Sequence, residues 1–244
     1  MTDPGFRVFK QLNHDRAWLD QGRHRIDPAS ALRLGQSGRV GRLVEALAQS
    51  RAVRLRELIE SFEVYACVRR RLRAPRVADL CAGHGLTGLL FAVFDSGVEE
   101  VVMLDKTLPK MAAVVRDSVV EAFPEVGSRV RYLEQPLKQA RLEPGTALVA
   151  VHACGTRTDR CLELGLRLGG PMALVPCCYA GTGRAGPRAV REALGVELAS
   201  DIERTYRLEA AGFRVEWSAI AAALTPMNRV LIALPQAQKL SSSN

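Results

Sequence analysis

An apolar run followed by three closely spaced glycines constrains the fold of this chain more than any other feature. Residues 77–88 read VADLCAGHGLTG, so Gly83, Gly85 and Gly88 have the spacing G-x-G-x-x-G, and an amphipathic pattern starts at Leu86. Glycine adopts backbone angles that other residues resist, and it lets a ligand approach bare backbone. The stretch therefore predicts a strand, a tight turn and a helix whose free N–H groups face a ligand.

Two acidic residues narrow the choice of ligand. Asp105 ends the next apolar run, at a distance from the glycines that suits a carboxylate binding both hydroxyls of a ribose. Asp79 lies within the first strand, four residues before the first glycine. A carboxylate there would repel a pyrophosphate stacked on the helix, whereas a sulfonium nucleoside carries no phosphate. The two acids favour the sulfonium nucleoside over a dinucleotide.

This stretch resembles the first motif of the class I S-adenosylmethionine-dependent methyltransferases, and Asp105 matches their second-strand acid. The resemblance implies a Rossmann-like α/β fold whose seven-stranded sheet has the order 3-2-1-4-5-7-6, with the last strand antiparallel. It also implies S-adenosylmethionine as the cofactor, with its methionine part over the turn and its ribose on Asp105. The residues expected to bind it are Asp79, Cys81, Ala82, Gly83, His84, Gly85, Asp105, Lys106, His152 and Ala153.

Beyond the glycine turn, strand patterns alternate with helical patterns, which is typical of a parallel, doubly wound sheet. The predicted helices cover 86–96, 108–123, 157–168 and 187–211, the last with a break near Gly195. The predicted strands cover 100–105, 129–134, 146–152 and 172–176, and two further extended runs cover 213–220 and 229–234.

The residues that follow the fourth and fifth strands are expected to be neighbours at the edge of the sheet where open parallel sheets bind ligands. They read HACG over 152–155 and PCCY over 176–179. Both segments are similar to those of a methyltransferase branch in which His-x-Cys-Gly recurs and Cys-Cys is followed by His or Tyr. This branch includes the enzymes that 2′-O-methylate tRNA acceptor stems, which have a histidine where this chain has Tyr179. The chain lacks the Asn/Asp-Pro-Pro-aromatic motif of base-amino methylases.

Three residues near these strand ends are candidate catalytic groups. His152 has a side chain suited to taking a proton from a hydroxyl or an amine, and Asp159 is expected to orient it. Tyr179 is expected to stack a base or to close the pocket. A structural histidine and a core tyrosine are the alternatives. The residues expected to bind substrate are Arg69, Arg70, Arg71, Arg157, Cys177, Cys178 and Arg184.

The six cysteines leave more than one interpretation open. Cys177 and Cys178 are adjacent, so the pattern suits reduced thiols rather than a disulfide framework. One histidine and three cysteines, His152, Cys154, Cys177 and Cys178, would be a legitimate zinc set. Adjacent cysteines rarely bind one ion together and no C-x₂-C is present, so we expect no metal. Redox-active thiols and small residues that line the pocket remain as interpretations.

The positive net charge is concentrated in the first third of the chain. Residues 1–76 contain 16 Arg and Lys against 8 Asp and Glu, whereas residues 77–244 contain 18 of each. Amphipathic patterns over 39–50 and 53–72 predict helices with arginine-rich outer faces. Such a surface is typical of proteins that bind nucleic acid phosphates, and the alternative is an ordinary solvated helix face.

The sequence therefore predicts a basic helical extension over 1–74, a methyltransferase domain over 75–238 and a disordered tail over 239–244. The expected activity is methylation of RNA, either tRNA or rRNA. The alternatives are a protein or small-molecule methyltransferase and a catalytically inactive module that binds RNA or protein. No run of 18 apolar residues and no charged-then-apolar leader is present, so we expect no membrane span and a cytoplasmic location.

Overall fold

The computed structural model of the protein describes residues 2–17, 24–179 and 186–236. Arg184 and the predicted tail therefore lie outside the described residues. The helices are α1 (Pro28–Leu34), α2 (Gly38–Ser50), α3 (Leu55–Val68), α4 (Leu86–Phe94), α5 (Lys110–Ala122), α6 (Arg157–Leu168) and α7 (Arg188–Ala210). The strands are β1 (Arg76–Leu80), β2 (Glu100–Asp105), β3 (Val130–Glu134), β4 (Ala147–Val151), β5 (Met172–Val175), β6 (Phe213–Ala219) and β7 (Arg229–Pro235).

The seven strands form one sheet in the order β3-β2-β1-β4-β5-β7-β6. Strands β1 to β5 pair in parallel, and β7 is antiparallel to both β5 and β6. The predicted fold class and strand order are confirmed. The order reverses between β1 and β4, and a crevice opens at such a point beyond the carboxyl ends of the strands.

Helices cover both faces of the sheet because successive side chains of a strand point to opposite faces. Val77 and Val149 lie in the hydrophobic cluster that includes residues of α2, α3, α4 and α5. Ala78 and Leu148 lie in a second cluster with residues of α6 and α7. The near-continuous apolar runs of β1 and β4 are thus explained by burial on both sides.

The arginine-rich N-terminal region packs directly on this sheet. Phe9 and Phe62 are fully buried in the same cluster as Val77, and their rings meet edge to face at 5.4 Å. The buried carboxylate of Glu63 accepts backbone N–H groups from Arg7 at 2.7 Å and from Val8 at 2.8 Å. The hydrophobic cluster crosses the boundary proposed between residues 74 and 75, and the division into domains stays a prediction.

The helix ends follow the sequence signals. Helix α5 ends before Pro124, α6 ends at Gly169 with φ 67°, and α7 is interrupted at Gly195, as predicted. The predicted helix over 53–72 is shorter, because the helical backbone ends at Val68. Within the described ranges, no helix combines the length and apolar character needed to span a bilayer.

Candidate functional site

The glycine turn joins β1 to α4 at the point where the strand order reverses. Gly83 and Gly85 have φ angles of 56° and 79°, in the left-handed region that favours glycine. A Cβ on Gly85 would lie 2.6 Å from the Sδ atom of Met103, so a side chain does not fit there. The turn therefore presents bare backbone at the first turn of α4, whose N–H groups have no partner within the helix.

Asp105 lies at the rim of this turn, at the end of β2. Its Oδ2 atom accepts the N–H of Gly83 at 2.9 Å, and its Oδ1 atom accepts the N–H of Lys106 at 2.7 Å. Each carboxylate oxygen has a further lone pair. The half-buried carboxylate can therefore still accept hydrogen bonds from a ligand on its open side.

Asp79 lies below the turn rather than at its surface. Its side chain is buried and accepts the N–H of Gly88 at 2.8 Å, which fixes the first turn of α4. Burial raises the pKa of Asp79 to about 7; the bond from Gly88 acts against this rise and the charge of Asp105 adds to it. In this position Asp79 supports the turn from behind.

The remaining residues of the glycine motif, Cys81, Ala82 and His84, also make hydrogen bonds within the protein. Ala82 N–H donates to Leu104 O at 3.1 Å. Cys81 has a φ of 56°, and a hydrogen bond with the Cys161 thiol of α6 lowers the pKa of Cys81. His84 Nδ1 accepts the N–H of Leu86 at 3.2 Å.

Tyr132 of β3 is a member of this site that the sequence interpretation missed. Its hydroxyl donates to the carbonyl oxygen of Gly83, so it holds the same glycine that Asp105 holds through the N–H. Burial raises the pKa of Tyr132, which keeps the hydroxyl protonated as a donor. The only sequence signal for this role was the presence of a tyrosine in the predicted strand that follows Asp105.

His152 follows β4, on the other side of the crevice. Its φ is 58°, and its N–H donates to Val175 O at 3.0 Å, which ties the ends of β4 and β5 together. Its ring Nε2 lies 2.7 Å from Oε1 of Glu60. Its ring Nδ1 is buried and has no hydrogen-bond partner among the residues the structure describes. Ala153 is buried behind it, and its carbonyl oxygen accepts the hydroxyl of Thr158.

Helix α3 brings two carboxylates to this side of the site. Glu60 reaches His152, and one turn earlier Glu57 Oε2 lies 3.6 Å from His84 Nε2. Both acids were missed from the sequence. Their spacing of three residues, which places them on one face of a helix, was the signal that could have identified them.

Asp159 does not contact His152, in contrast to the expectation from the sequence. Its two oxygens accept from Arg204 Nε at 3.0 Å and Nη2 at 3.1 Å, and Arg207 lies at 3.6 Å. Asp159 is at the first turn of α6 and turns toward α7, because the buried guanidinium of Arg204 lies there.

Tyr179 joins the same buried network. Its hydroxyl donates to Asp201 Oδ2 at 2.6 Å, and Asp201 also accepts from Arg204 at 3.0 Å and from Arg229 at 2.8 Å. Asp201 is fully buried and Tyr179 is 9% exposed. The network holds the end of β5 against α7 and β7.

The cysteines at the two strand ends are neighbours. Cys154 Sγ lies 2.9 Å from Cys177 Sγ, and Cys178 O accepts the N–H of Gly155 at 3.0 Å. Burial raises the pKa of Cys177 to about 12, so its thiol stays protonated. Across residues 2–17, 24–179 and 186–236, no group of three or more His, Cys, Asp or Glu side chains is placed to hold a metal ion.

The predicted substrate-binding arginines fall into two separate places. Arg157 begins α6 at the crevice, and its Nε lies 3.4 Å from Cys154 O. Arg69, Arg70 and Arg71 follow α3 and precede β1, so they lie at the amino edge of the sheet, opposite the crevice. Arg69 pairs with Asp95 at 3.8 Å and Arg71 with Glu216 at 3.3 Å. Arg69, Arg70 and Arg71 form a basic cluster away from the turn.

Solved structures share this arrangement of strands and helices. The chain is similar to the SAH-bound methyltransferase PaMTH1 of Podospora anserina, with a TM-score of 0.50 and 16% sequence identity, over 80% of this chain and 88% of that chain. The chain has the class I methyltransferase fold. At this level of identity, the likeness extends to the fold alone.

Curated relatives match part of the chain. Over 138 residues it is 27% identical to a glutathione S-transferase C-terminal domain-containing protein of Bos taurus and 26% identical to the protein of that name in Homo sapiens. The matched region is 54% of this chain and 20% of either relative, so the chain spans about one fifth of their length. No protein-family model matches the chain.

Proposed function

We propose that this protein is an S-adenosylmethionine-dependent methyltransferase that acts on RNA, either tRNA or rRNA. The observation that carries the proposal is the combination of a bare glycine turn, the Asp105 carboxylate at its rim and an imidazole across the crevice. The class I methyltransferase fold supports it. The substrate class is supported by the charge of residues 1–76.

The residues around the turn fit a phosphate-free sulfonium nucleoside with an amino-acid tail. A Cβ at Gly83 would meet no atom within 4 Å, so the turn has open space beside it in which a ligand can lie against the backbone. Asp105 would accept from ribose hydroxyls, and the backbone N–H groups at the start of α4 would face the methionine carboxylate. When bound, the cofactor supplies a methyl group on a sulfonium. Asp79 and Tyr132 would keep the turn in shape from below and from the side.

The acceptor is expected between the turn and the end of β4. His152 is a titratable residue directly after β4, and it would take the proton of the acceptor. Arg157, at the edge of the crevice, would meet a phosphate next to the acceptor. Arg69, Arg70 and Arg71 would meet phosphates farther along a long RNA.

A second candidate follows from the acidic face of α3. Glu57 and Glu60 place two carboxylates beside the expected acceptor position. Carboxylates attract a cationic amine and repel phosphate. A protein or small molecule that presents an amine is therefore the alternative substrate, and it would leave the arginines at the opposite edge without a role.

Incubation with methyl-labelled S-adenosylmethionine and separate RNA, protein and small-molecule fractions from cells tests these proposals. Label in RNA that is lost in the Asp105→Ala variant supports the first, and label in protein or small molecules supports the second. Salt-dependent RNA retention with no label in any fraction, by protein shown to be folded, would indicate a binding module and contradict both.

A further inference from the structure

His152 combines three features that are rare in a histidine with a packing role. Its φ of 58° lies in a region that residues with a Cβ seldom adopt. Its Nδ1 is buried without a partner in the described part of the chain, although buried polar atoms are nearly always paired. Its Nε2 is held at 2.7 Å by a carboxylate from a helix 92 residues earlier. Such residues concentrate at functional sites.

The partner of Nε2 determines which nitrogen carries the proton. A carboxylate only accepts hydrogen bonds, so the contact with Glu60 requires a proton on Nε2. A neutral imidazole has one protonated nitrogen, and its lone pair then lies on Nδ1. We infer that Glu60 is a positioning residue that fixes this tautomer, and that Nδ1 of His152 is the atom that accepts the substrate's proton.

The charges around the ring support this assignment. Burial by itself would lower the pKa of His152, but the hydrogen bond and charge of Glu60, together with the charge of Glu57, raise it. These two acids of α3 are the charged groups that face the ring. The Cys177 thiol from β5 is neutral, because burial raises its pKa to about 12. Glu60 therefore strengthens the base and stabilises the imidazolium that forms.

The proton balance is complete with the groups of the proposed reaction, on which this inference rests. The acceptor oxygen or nitrogen forms a bond to the methyl group, and the electron pair of the broken bond stays on sulfur. The acceptor has to displace the groups that cover the buried Nδ1; its proton then passes to Nδ1, and the resulting imidazolium lies against the Glu60 carboxylate. Release of that proton to solvent restores the neutral ring.

The assignment gives the N-terminal region a second role. Glu60 belongs to α3, within the predicted extension, yet it contacts the proposed base. Deletion of residues 1–74 would remove this carboxylate along with the arginines. A loss of activity in such a deletion would therefore not identify the region as an RNA-binding extension, and point variants are needed.

Nitrogen NMR of the full chain tests the tautomer directly. The chain has only four histidines, so the His152 signals can be assigned from the spectrum that His152→Gln lacks. In the wild type, the neutral ring should show a protonated Nε2 and an unprotonated Nδ1. In Glu60→Gln, the titration midpoint of His152 should fall by about one pH unit.

Glu57→Gln is the matched control, since it removes the same charge one turn away on the same helix and its direct partner is His84. It should move the His152 midpoint less than Glu60→Gln does. A protonated Nδ1 in the wild-type neutral ring, or equal midpoints in the two variants, would overturn the inference. Thermal unfolding of both variants establishes that they are folded.

Activity gives a second measurement. In Glu60→Gln, turnover should fall about tenfold or more, and the acid limb of the kcat/KM profile should move to lower pH by the shift seen in the NMR titration. An unmoved acid limb would contradict the inference. Calorimetry with S-adenosylhomocysteine is the separate arm for the proposed function: if binding is absent, the methyltransferase assignment fails, while the histidine titration still reports on Glu60.

Discussion

Asp105 Oδ2 accepts the backbone N–H of Gly83 at 2.9 Å, so the second-strand acid is built into the glycine turn that it was expected to face. The bond joins the carboxyl ends of β2 and β1. Tyr132 donates to the carbonyl of the same glycine from β3. One glycine is therefore held from two strands through both of its neighbouring peptide groups, and the shape of the turn is set before any ligand binds.

Replacement of Asp105 tests the ribose contact. Asp105→Ala should weaken binding of S-adenosylhomocysteine by about 10- to 100-fold, because hydrogen bonds to a charged group contribute about 1.5–3 kcal/mol. Calorimetry measures the affinity. Asp117→Ala, which removes an exposed carboxylate from α5, is the control and should leave the affinity unchanged. Equal affinities in the two variants would remove Asp105 from the site.

Reversal of charge in the basic cluster tests RNA binding. Arg70→Glu combined with Arg71→Glu should weaken RNA binding and reduce its dependence on salt, because each lost phosphate contact lowers the salt slope by about 0.7. Gel-shift titrations at several salt concentrations measure both effects. The control, Arg116→Glu with Arg188→Glu, makes the same charge change at exposed positions elsewhere. If both pairs weaken binding equally, the cluster has no specific role.

The buried Asp201 should be a major contributor to stability. Asp201→Ala leaves the guanidinium of Arg204, which is 2% exposed, without one of its two carboxylates, and it removes the acceptor of the Tyr179 hydroxyl. The expected loss is about 3–5 kcal/mol in the free energy of unfolding, measured by urea denaturation. Tyr179→Phe removes the hydrogen bond that the hydroxyl donates to Asp201 and the one that it accepts from Arg229 Nη2 at 3.2 Å, and it should cost about 1–3 kcal/mol. A loss below 1 kcal/mol for Asp201→Ala would show that the network relaxes without cost.

The pH dependence of stability should reflect Asp79. Burial raises the pKa of Asp79 to about 7, above the value near 3.8 of an unfolded carboxyl group. The folded state therefore binds the proton of Asp79 more tightly than the unfolded state does. The stabilisation that this proton provides is complete below about pH 4 and is lost as pH rises through 7. Compared with Asp79→Asn, the wild type should lose free energy of unfolding between about pH 4 and 7, by at most about 1.4 kcal/mol per pH unit. Urea denaturation at several pH values measures this difference. If the free energy of unfolding of the two proteins changed with pH in the same way, the raised pKa of Asp79 would be contradicted.

The elements that the sequence predicted depend on local signals. The glycine turn, the ends of α5 and α6 and the break at Gly195 follow from residues within one or two turns of each feature. The strand order came from the family resemblance, and the structure confirms it.

The missed contacts join residues that are far apart in the chain. Glu60 and His152 are 92 positions apart, and Tyr132 and Gly83 are 49 apart. No periodic pattern reports such a pair. Asp159 was expected beside His152 because it is near in sequence, but the buried Arg204 draws it toward α7.

Helix α3 extends from one edge of the sheet to the other, with Glu60 near the crevice and Arg70 just past its far end. At 1.5 Å per residue, the eight residues of helix from Glu60 to Val68 span about 12 Å, and Arg70 lies beyond them. A single nucleotide or a free amine that reaches His152 is too short to touch the arginines at the same time. A substrate has to span this distance along the side of the protein to engage both, so the length of this helix sets a minimum size below which a substrate gains nothing from the basic cluster.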